Sequence, residues 1–200
     1  MRIGIYGGTF SPPHAGHIRA AVQFLSVCDL DRLYILPTAT PPHKEISPND
    51  DPARRLAMCH LAFNGIDDRI VVSDYEQKRG GKSYTILTLE HFRLMSPDLV
   101  LLCGTDMFLT LDKWYQAEEI FKLCYPIYIR RENDPIITKK ILAKIGEYTE
   151  KYNAVVRRVV TDPIELSSSL VRKTLHEGKN ISSMVCPEVA KYIEDHGLFR

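Results

Sequence analysis

Arg2-Ile-Gly-Ile-Tyr6 runs straight into Gly7-Gly8-Thr9-Phe10-Ser11-Pro12-Pro13-His14-Ala15-Gly16-His17, and that turn runs into Ile18-Arg19-Ala20-Ala21-Val22-Gln23-Phe24-Leu25. A short apolar run, a glycine and proline turn and an amphipathic stretch read as strand, loop and helix. Ile18, Ala21, Val22 and Leu25 repeat at the helical spacing and form an inward stripe, bounded by Gly16 before it and Asp29 after it.

The alternation continues outward from this unit. Apolar, β-branched runs at about 2–6, 32–36, 69–72, 98–103, 124–130 and 155–160 predict strands, with helical periods between them. This order predicts an α/β fold: a doubly wound parallel sheet with helices on both faces. Asp51-Pro52 caps and opens a second helix that carries Leu56, Cys59 and Phe63 on one face, and a third begins near Ser83 and packs through Thr85, Leu89 and Phe92. The unbroken run Leu99–Cys103 fits a central strand covered on both faces, and Gly104-Thr105-Asp106 reads as a turn at its carboxyl end, the edge where such sheets bind ligands. Two late helices stop at Gly178 and Gly197, the second opened by Pro187. The proline-rich stretch from Thr38 to Pro52 is a long loop of the kind that carries function. With no repeat and no low-complexity linker, 1–200 is expected to be one domain, its helical part at about 163–200 packed on the sheet.

With 44% hydrophobic and 26% charged residues, the 200-residue chain can bury a core, which excludes collagen-like and disordered classes. Twenty-six Lys and Arg against 25 Asp and Glu leave a charge of +1, so no nucleic-acid partner relying on a broad basic field is expected. The five widely spaced cysteines form no CxxC pair, which fits a reducing, cytoplasmic setting better than a disulfide framework or zinc site. The chain opens at Met1 on strand-like sequence and has no apolar run near 18 residues, so neither export nor a membrane partner is expected. Self-association into a homo-oligomer stays open.

The first turn is built for a phosphate. Glycines there let backbone N–H groups approach an anion, and the helix beyond adds the donors and positive dipole end of its N-terminus. The spacing is neither a P-loop nor GxGxxG, and a pair of histidines stands where a P-loop has lysine. His14 and His17 extend the inward face of the helix and can donate to phosphate oxygens that gain charge in a transition state. Two alternatives stay open: capping or core histidines, and a two-histidine metal site, for which no third ligand stands at a suggestive spacing. Near the other end, Leu166-Ser167-Ser168-Ser169-Leu170-Val171-Arg172 opens a helix with hydroxyls, and Arg172 follows one turn after Ser168. These groups can converge on one anion, or can simply be a serine-capped surface helix with a solvated arginine.

Gly8 to His17 resembles the GxFxPxHxGH signature of the HIGH-type nucleotidyltransferases, and Leu166 to Arg172 is similar to their ISSTxxR element. Further segments resemble the bacterial nicotinate-mononucleotide adenylyltransferases: Pro41-Pro42-His43-Lys44, Arg55-Leu56 with Met58, Ser83-Tyr84-Thr85, Gly104-Thr105-Asp106, Trp114-Tyr115, Arg130-Arg131 and Tyr192 to Phe199. The likeness runs the length of the chain in order. Ser11 departs from the aspartate common at that position, and Leu166 and Ser169 replace isoleucine and threonine.

The resemblance implies a Rossmann-like nucleotidyltransferase that joins nicotinate mononucleotide to the AMP of ATP, with Mg²⁺ carried in by ATP and no protein metal ligands. It implies catalytic roles for His14, His17 and Arg172, and ATP contacts at Gly8, Thr9, Phe10, Gly104, Asp106, Ser167 and Ser168. For the mononucleotide it implies Lys44 at the phosphate, Trp114 stacked on the pyridine ring, and Thr85, Asp106 and Tyr115 nearby. Trp114 as a core residue is the alternative. A pantetheine-phosphate type of adenylyltransferase, or an inactive nucleotide-binding regulator on the same fold, would share the first motif.

Overall fold

In a computed structural model, residues 1–42, 50–129, 134–159 and 166–199 are described. Their strands are β1 (Arg2–Gly8), β2 (Arg32–Pro37), β3 (Ile70–Val72), β4 (Asp98–Gly104), β5 (Tyr125–Ile129) and β6 (Arg157–Val159). Their helices are α1 (Ala15–Cys28), α2 (Pro52–Phe63), α3 (Tyr75–Arg79), α4 (Thr85–Arg93), α5 (Thr105–Leu109), α6 (Ala117–Leu123), α7 (Pro135–Tyr152), α8 (Ser168–His176) and α9 (Pro187–Asp195). The strands form one sheet in the order β3-β2-β1-β4-β5-β6, with β4 parallel to β1 and to β5, and β5 parallel to β6. That is the Rossmann-like, doubly wound order, reversing between β1 and β4.

The chain groups into two compact units. One holds residues 1–6, 23–34 and 84–165. Leu99 to Cys103 of β4 are all buried, as a strand paired on both edges and covered on both faces must be. Against this core lie Ile86, Leu89 and Phe92 of α4 and Ile120 and Phe121 of α6. Helix α7 starts where Asp134 accepts from Ile136 N at 2.7 Å with Pro135 at the first helical position, and it ends on Asn153 at φ 52°. It is held by Tyr148, whose ring packs 4.9 Å from Phe121 and 5.3 Å from Phe108.

The other unit holds residues 7–22, 35–83 and 166–200. Asp51 caps α2 as expected, accepting from Ala53 N at 2.9 Å. The buried face of α2 is Arg55, Met58, Cys59, Ala62 and Phe63, while Leu56 is only half-buried, and α9 packs on this helix. Gly178 closes α8 at φ 68°, a left-handed position where a side chain would be strained.

Three local expectations are corrected. Helix α1 begins at Ala15, so Gly16 lies inside its first turn instead of before it. Val22 is exposed, and Phe24 is buried on the inward face in its place, because the buried face is turned toward Ala21, Phe24 and Cys28. Gly104-Thr105-Asp106 is not a free turn: β4 ends at Gly104 and α5 starts at the next residue.

Candidate active site

The turn after β1 is shaped by Phe10, which holds φ 50° and is buried. A left-handed phenylalanine is costly and persists only where its surroundings hold it. Its ring lies edge-on to His17 at 4.9 Å and to Phe63 of α2 at 6.1 Å. Gly8 lies close beside it: a Cβ there would stand 3.0 Å from the Phe10 ring, which would have to give by a few tenths of an ångström.

The two histidines are buried and lie face to face, ring centroids 3.7 Å apart at 28°. His14 precedes α1 and its backbone N–H donates to His17 Nδ1 at 3.2 Å. This is the reciprocal half of a capping box, with imidazole in place of the usual Glu or Gln three residues in. An accepting Nδ1 must be bare, so the ring proton of His17 sits on Nε2. His17 is therefore a cap residue, with its ring proton on the nitrogen away from the capping contact.

Of the N–H donors expected to stand open at the start of α1, three are taken. Ala15 N donates to Met184 O at 2.8 Å, His17 N to His14 O at 2.8 Å, and His14 N to the imidazole. The helix begins in a buried setting, where N–H groups have to find partners within the protein. What α1 offers an anion is its dipole end and its side chains.

The second motif is tied to the first. Ser167 caps α8, accepting from Leu170 N at 3.1 Å, so the capping role belongs to this serine. Ser168 Oγ donates to Pro12 O at 2.9 Å, and Arg172 Nη1 donates to Ser11 O at 2.7 Å while Nη2 donates to Ser169 Oγ at 3.2 Å. Arg172 is half-buried on the turn instead of being solvated.

Arg55 and Asp50 are the residues that motif reading did not single out for a role. Arg55 is 0% exposed; Nη1 donates to Thr9 O at 2.9 Å and to Thr38 O at 2.6 Å, and Nη2 to Ala39 O at 3.2 Å. Its Nε stands 3.0 Å from Asp50 Oδ1, and Ser11 Oγ donates to Asp50 Oδ2 at 2.6 Å. Burial lowers the Arg55 pKa and Asp50 opposes that drop, the balance expected when one carboxylate compensates a buried guanidinium. The signal in the sequence is positional: Arg55, Met58, Cys59 and Ala62 fall at i, i+3, i+4 and i+7, so a cation sits on a buried stripe. A side chain that is charged and buried needs a partner, and Asp50 lies just before the cap.

The residues expected at the pyridine ring lie in the other unit and are described there. Thr85 is half-buried at the first position of α4, and Tyr84, its N-cap residue, packs at 4.6 Å on the ring of Tyr115. The Ser83-Tyr84-Thr85 and Trp114-Tyr115 segments are thereby brought together. Trp114 is half-buried, outside the core, and closes the 3-10 turn Leu111–Lys113. That turn is fixed from α7: Tyr148 Oη bonds Phe108 O at 2.7 Å and Asp112 Oδ1 at 3.1 Å, and Lys144 pairs with Asp112 at 3.1 Å. Asp106 is exposed in the first turn of α5, directly after Gly104. Lys44, His43, Arg130 and Arg131 lie outside the described residues. Among the described residues no three His, Cys, Asp or Glu side chains cluster as a metal cage, and no helix is long and apolar enough to cross a membrane.

Comparison with known proteins gives a consistent family. The sequence model of the Cytidylyltransferase-like family matches residues 5–174. A relative from Desulfatibacillum aliphaticivorans, named "Probable nicotinate-nucleotide adenylyltransferase", is 33% identical over the full length of both chains. One of the same name from Synechococcus sp. (strain JA-3-3Ab) is 36% identical, covering 99% of this chain and 94% of its own. Among solved structures, the nicotinic acid mononucleotide adenylyltransferase of Plasmodium falciparum complexed with NaAD superposes with a TM-score of 0.76 at 19% identity, covering 99% of this chain and 97% of that one. At that identity the likeness speaks for the fold.

Proposed function

The chain belongs to the cytidylyltransferase-like family, and from that premise we propose that it is a nicotinate-nucleotide adenylyltransferase making nicotinate adenine dinucleotide for NAD biosynthesis. A 5′-phosphate oxygen of nicotinate mononucleotide attacks the α-phosphorus of ATP. One P–O bond forms, the α–β bridge bond breaks, and pyrophosphate leaves. The attacking phosphate is largely dianionic near neutral pH, so no protein base is needed.

Catalysis falls to positioning and charge stabilisation. His17 Nε2–H, His14 and Arg172 are the groups that meet charge growing on the α-phosphate and the leaving pyrophosphate. Gly8, Thr9 and Phe10 present the turn to ATP, Ser167 and Ser168 the opening of α8, and Gly104 and Asp106 the end of β4. Trp114 stacks on the pyridine ring, with Thr85 and Tyr115 at its carboxylate and Lys44 at the mononucleotide phosphate. Mg²⁺ arrives as part of the substrate, bound to the ATP phosphates, where it neutralises charge. All five cysteines are thiols, four of them buried, which suits the cytoplasm.

The observation that carries this proposal is the tie between the motifs: Arg172 and Ser168 both grip the backbone of the histidine-bearing turn. It holds a cation on the same turn that carries the two histidines, which is what charge stabilisation in adenylyl transfer needs. Titration with ATP alone, followed by addition of nicotinate mononucleotide, tests it. Pyrophosphate release on the second addition is expected; ATP binding without turnover for any acceptor would point to a regulator.

A further inference from the structure

We propose that Asp50 is a positioning residue, closing a ring of hydrogen bonds and one ion pair that holds the Thr9–Ser11 turn and Arg172 in their ATP-binding arrangement. The ring runs from Thr9 O to Arg55 Nη1 (2.9 Å), from Arg55 Nε to Asp50 Oδ1 (3.0 Å), from Asp50 Oδ2 to Ser11 Oγ (2.6 Å), and back along the chain through Phe10. It encloses the one residue of the turn at positive φ, so it is what keeps Phe10 and its contact with His17 in place. Arg172 hangs on the same ring through Ser11 O at 2.7 Å. Arg55 is wholly inside, its guanidinium further anchored on Thr38 O and Ala39 O, whereas the Asp50 side chain is 14% exposed and is the outermost link. Ser11 is too short to reach Arg55 itself; the carboxylate is supplied from position 50.

A carboxylate moved to position 11 would extend toward the space Asp50 leaves. The decisive variant is therefore the relocated charge, S11D/D50S, set beside D50S and S11A. S11A breaks only the hydroxyl link and keeps the Asp50–Arg55 pair, so it stays folded even where D50S, with a buried cation left unmatched, does not.

The proposal rests on ATP binding at this turn, and two independent readouts separate the two ideas. Steady-state kinetics with ATP and nicotinate mononucleotide is expected to show kcat/KM for ATP down about tenfold in S11A and about a hundredfold in D50S, as a displacement near 1 Å costs. KM for the mononucleotide stays within about twofold of wild type, and S11D/D50S recovers most of the loss. Equilibrium unfolding of the same four proteins reads the ring without any nucleotide, and is expected to show S11D/D50S more stable than D50S. Wild-type protein that does not turn over ATP would sink the functional proposal while the unfolding comparison still stands. Active wild type with unchanged ATP kinetics in S11A, or a folded S11D/D50S no better than D50S, overturns the ring.

Discussion

The capping role of His17 and the catalytic role proposed for it can be separated by one substitution pair. Its Nδ1 accepts the buried His14 N–H at 3.2 Å, and its ring is stacked on His14 and edge-on to Phe10. His17→Ala leaves that N–H without an acceptor, which costs about 1–3 kcal/mol, and loses two ring contacts of about 0.5–1.5 kcal/mol each. At about 2–4 °C per kcal/mol for a chain of this size, melting should fall by roughly 4–24 °C. His17→Glu restores the cap, because Glu is the usual residue at this capping-box position, but supplies no donor. Its melting temperature should therefore recover most of the loss.

Activity should not recover. Removing a donor aimed at developing charge lowers kcat by about 10²–10³, and the bond strengthens only in the transition state, so with alanine KM for ATP should stay within about threefold. Thermal melts and pyrophosphate-release kinetics on both variants give the answer. If His17→Glu regains wild-type kcat, the imidazole is a cap and nothing more; if His17→Ala raises KM for ATP with kcat intact, the imidazole binds ATP without favouring the transition state.

Other consequences can be measured in the same preparations. Trp114→Ala should raise KM for the mononucleotide at least tenfold, on the order of a lost aromatic stacking contact, and keep KM for ATP; an unchanged mononucleotide KM places the pyridine ring elsewhere. Burial raises the Asp112 pKa, but bonds from Lys144 and Tyr148 and the lysine charge outweigh it and hold it below the ordinary aspartate value. Stability from this depressed carboxylate is full above the unfolded value of about 4 and drains away as pH falls through the folded one. Tyr148→Phe should therefore flatten the pH dependence of unfolding between about pH 5 and 2; an identical acid limb contradicts the assignment. Burial pushes the thiols of Cys59, Cys124 and Cys186 up and that of Cys103 to about 12, but only Cys186 is half-buried instead of buried, so native protein should alkylate first there, as peptide mapping can show.

The architecture was legible wherever one local cause decides the outcome. Leu99 to Cys103 could only be a covered strand, and Asp51-Pro52 and Gly178 are stop and start chemistry that needs no tertiary partner. Both nucleotide motifs could be found because their residue types have a mechanism. What escaped depends on long-range pairing. The α1 donors are consumed by Met184 and by an imidazole acting as a glutamate would, and neither contact has a periodic signature. Arg55 was visible as part of a resemblance, but its partners Thr9, Thr38 and Asp50 come from three separate stretches of chain. Val22 and Phe24 exchanged places because a moment along one helix cannot say which flank a neighbouring element covers.

The most direct measurement is an acceptor competition at fixed ATP, following pyrophosphate and the dinucleotide product with nicotinate mononucleotide, nicotinamide mononucleotide and phosphopantetheine as rival acceptors. The neutral donors proposed at Thr85 and near Tyr115 would favour a ring carboxylate over a carboxamide. The nicotinate form should therefore show a kcat/KM about tenfold or more above the nicotinamide form, and phosphopantetheine should give no adenylated product. Adenylation of phosphopantetheine in preference to both, or pyrophosphate release from none of the three, would contradict the assignment of this chain to nicotinate mononucleotide.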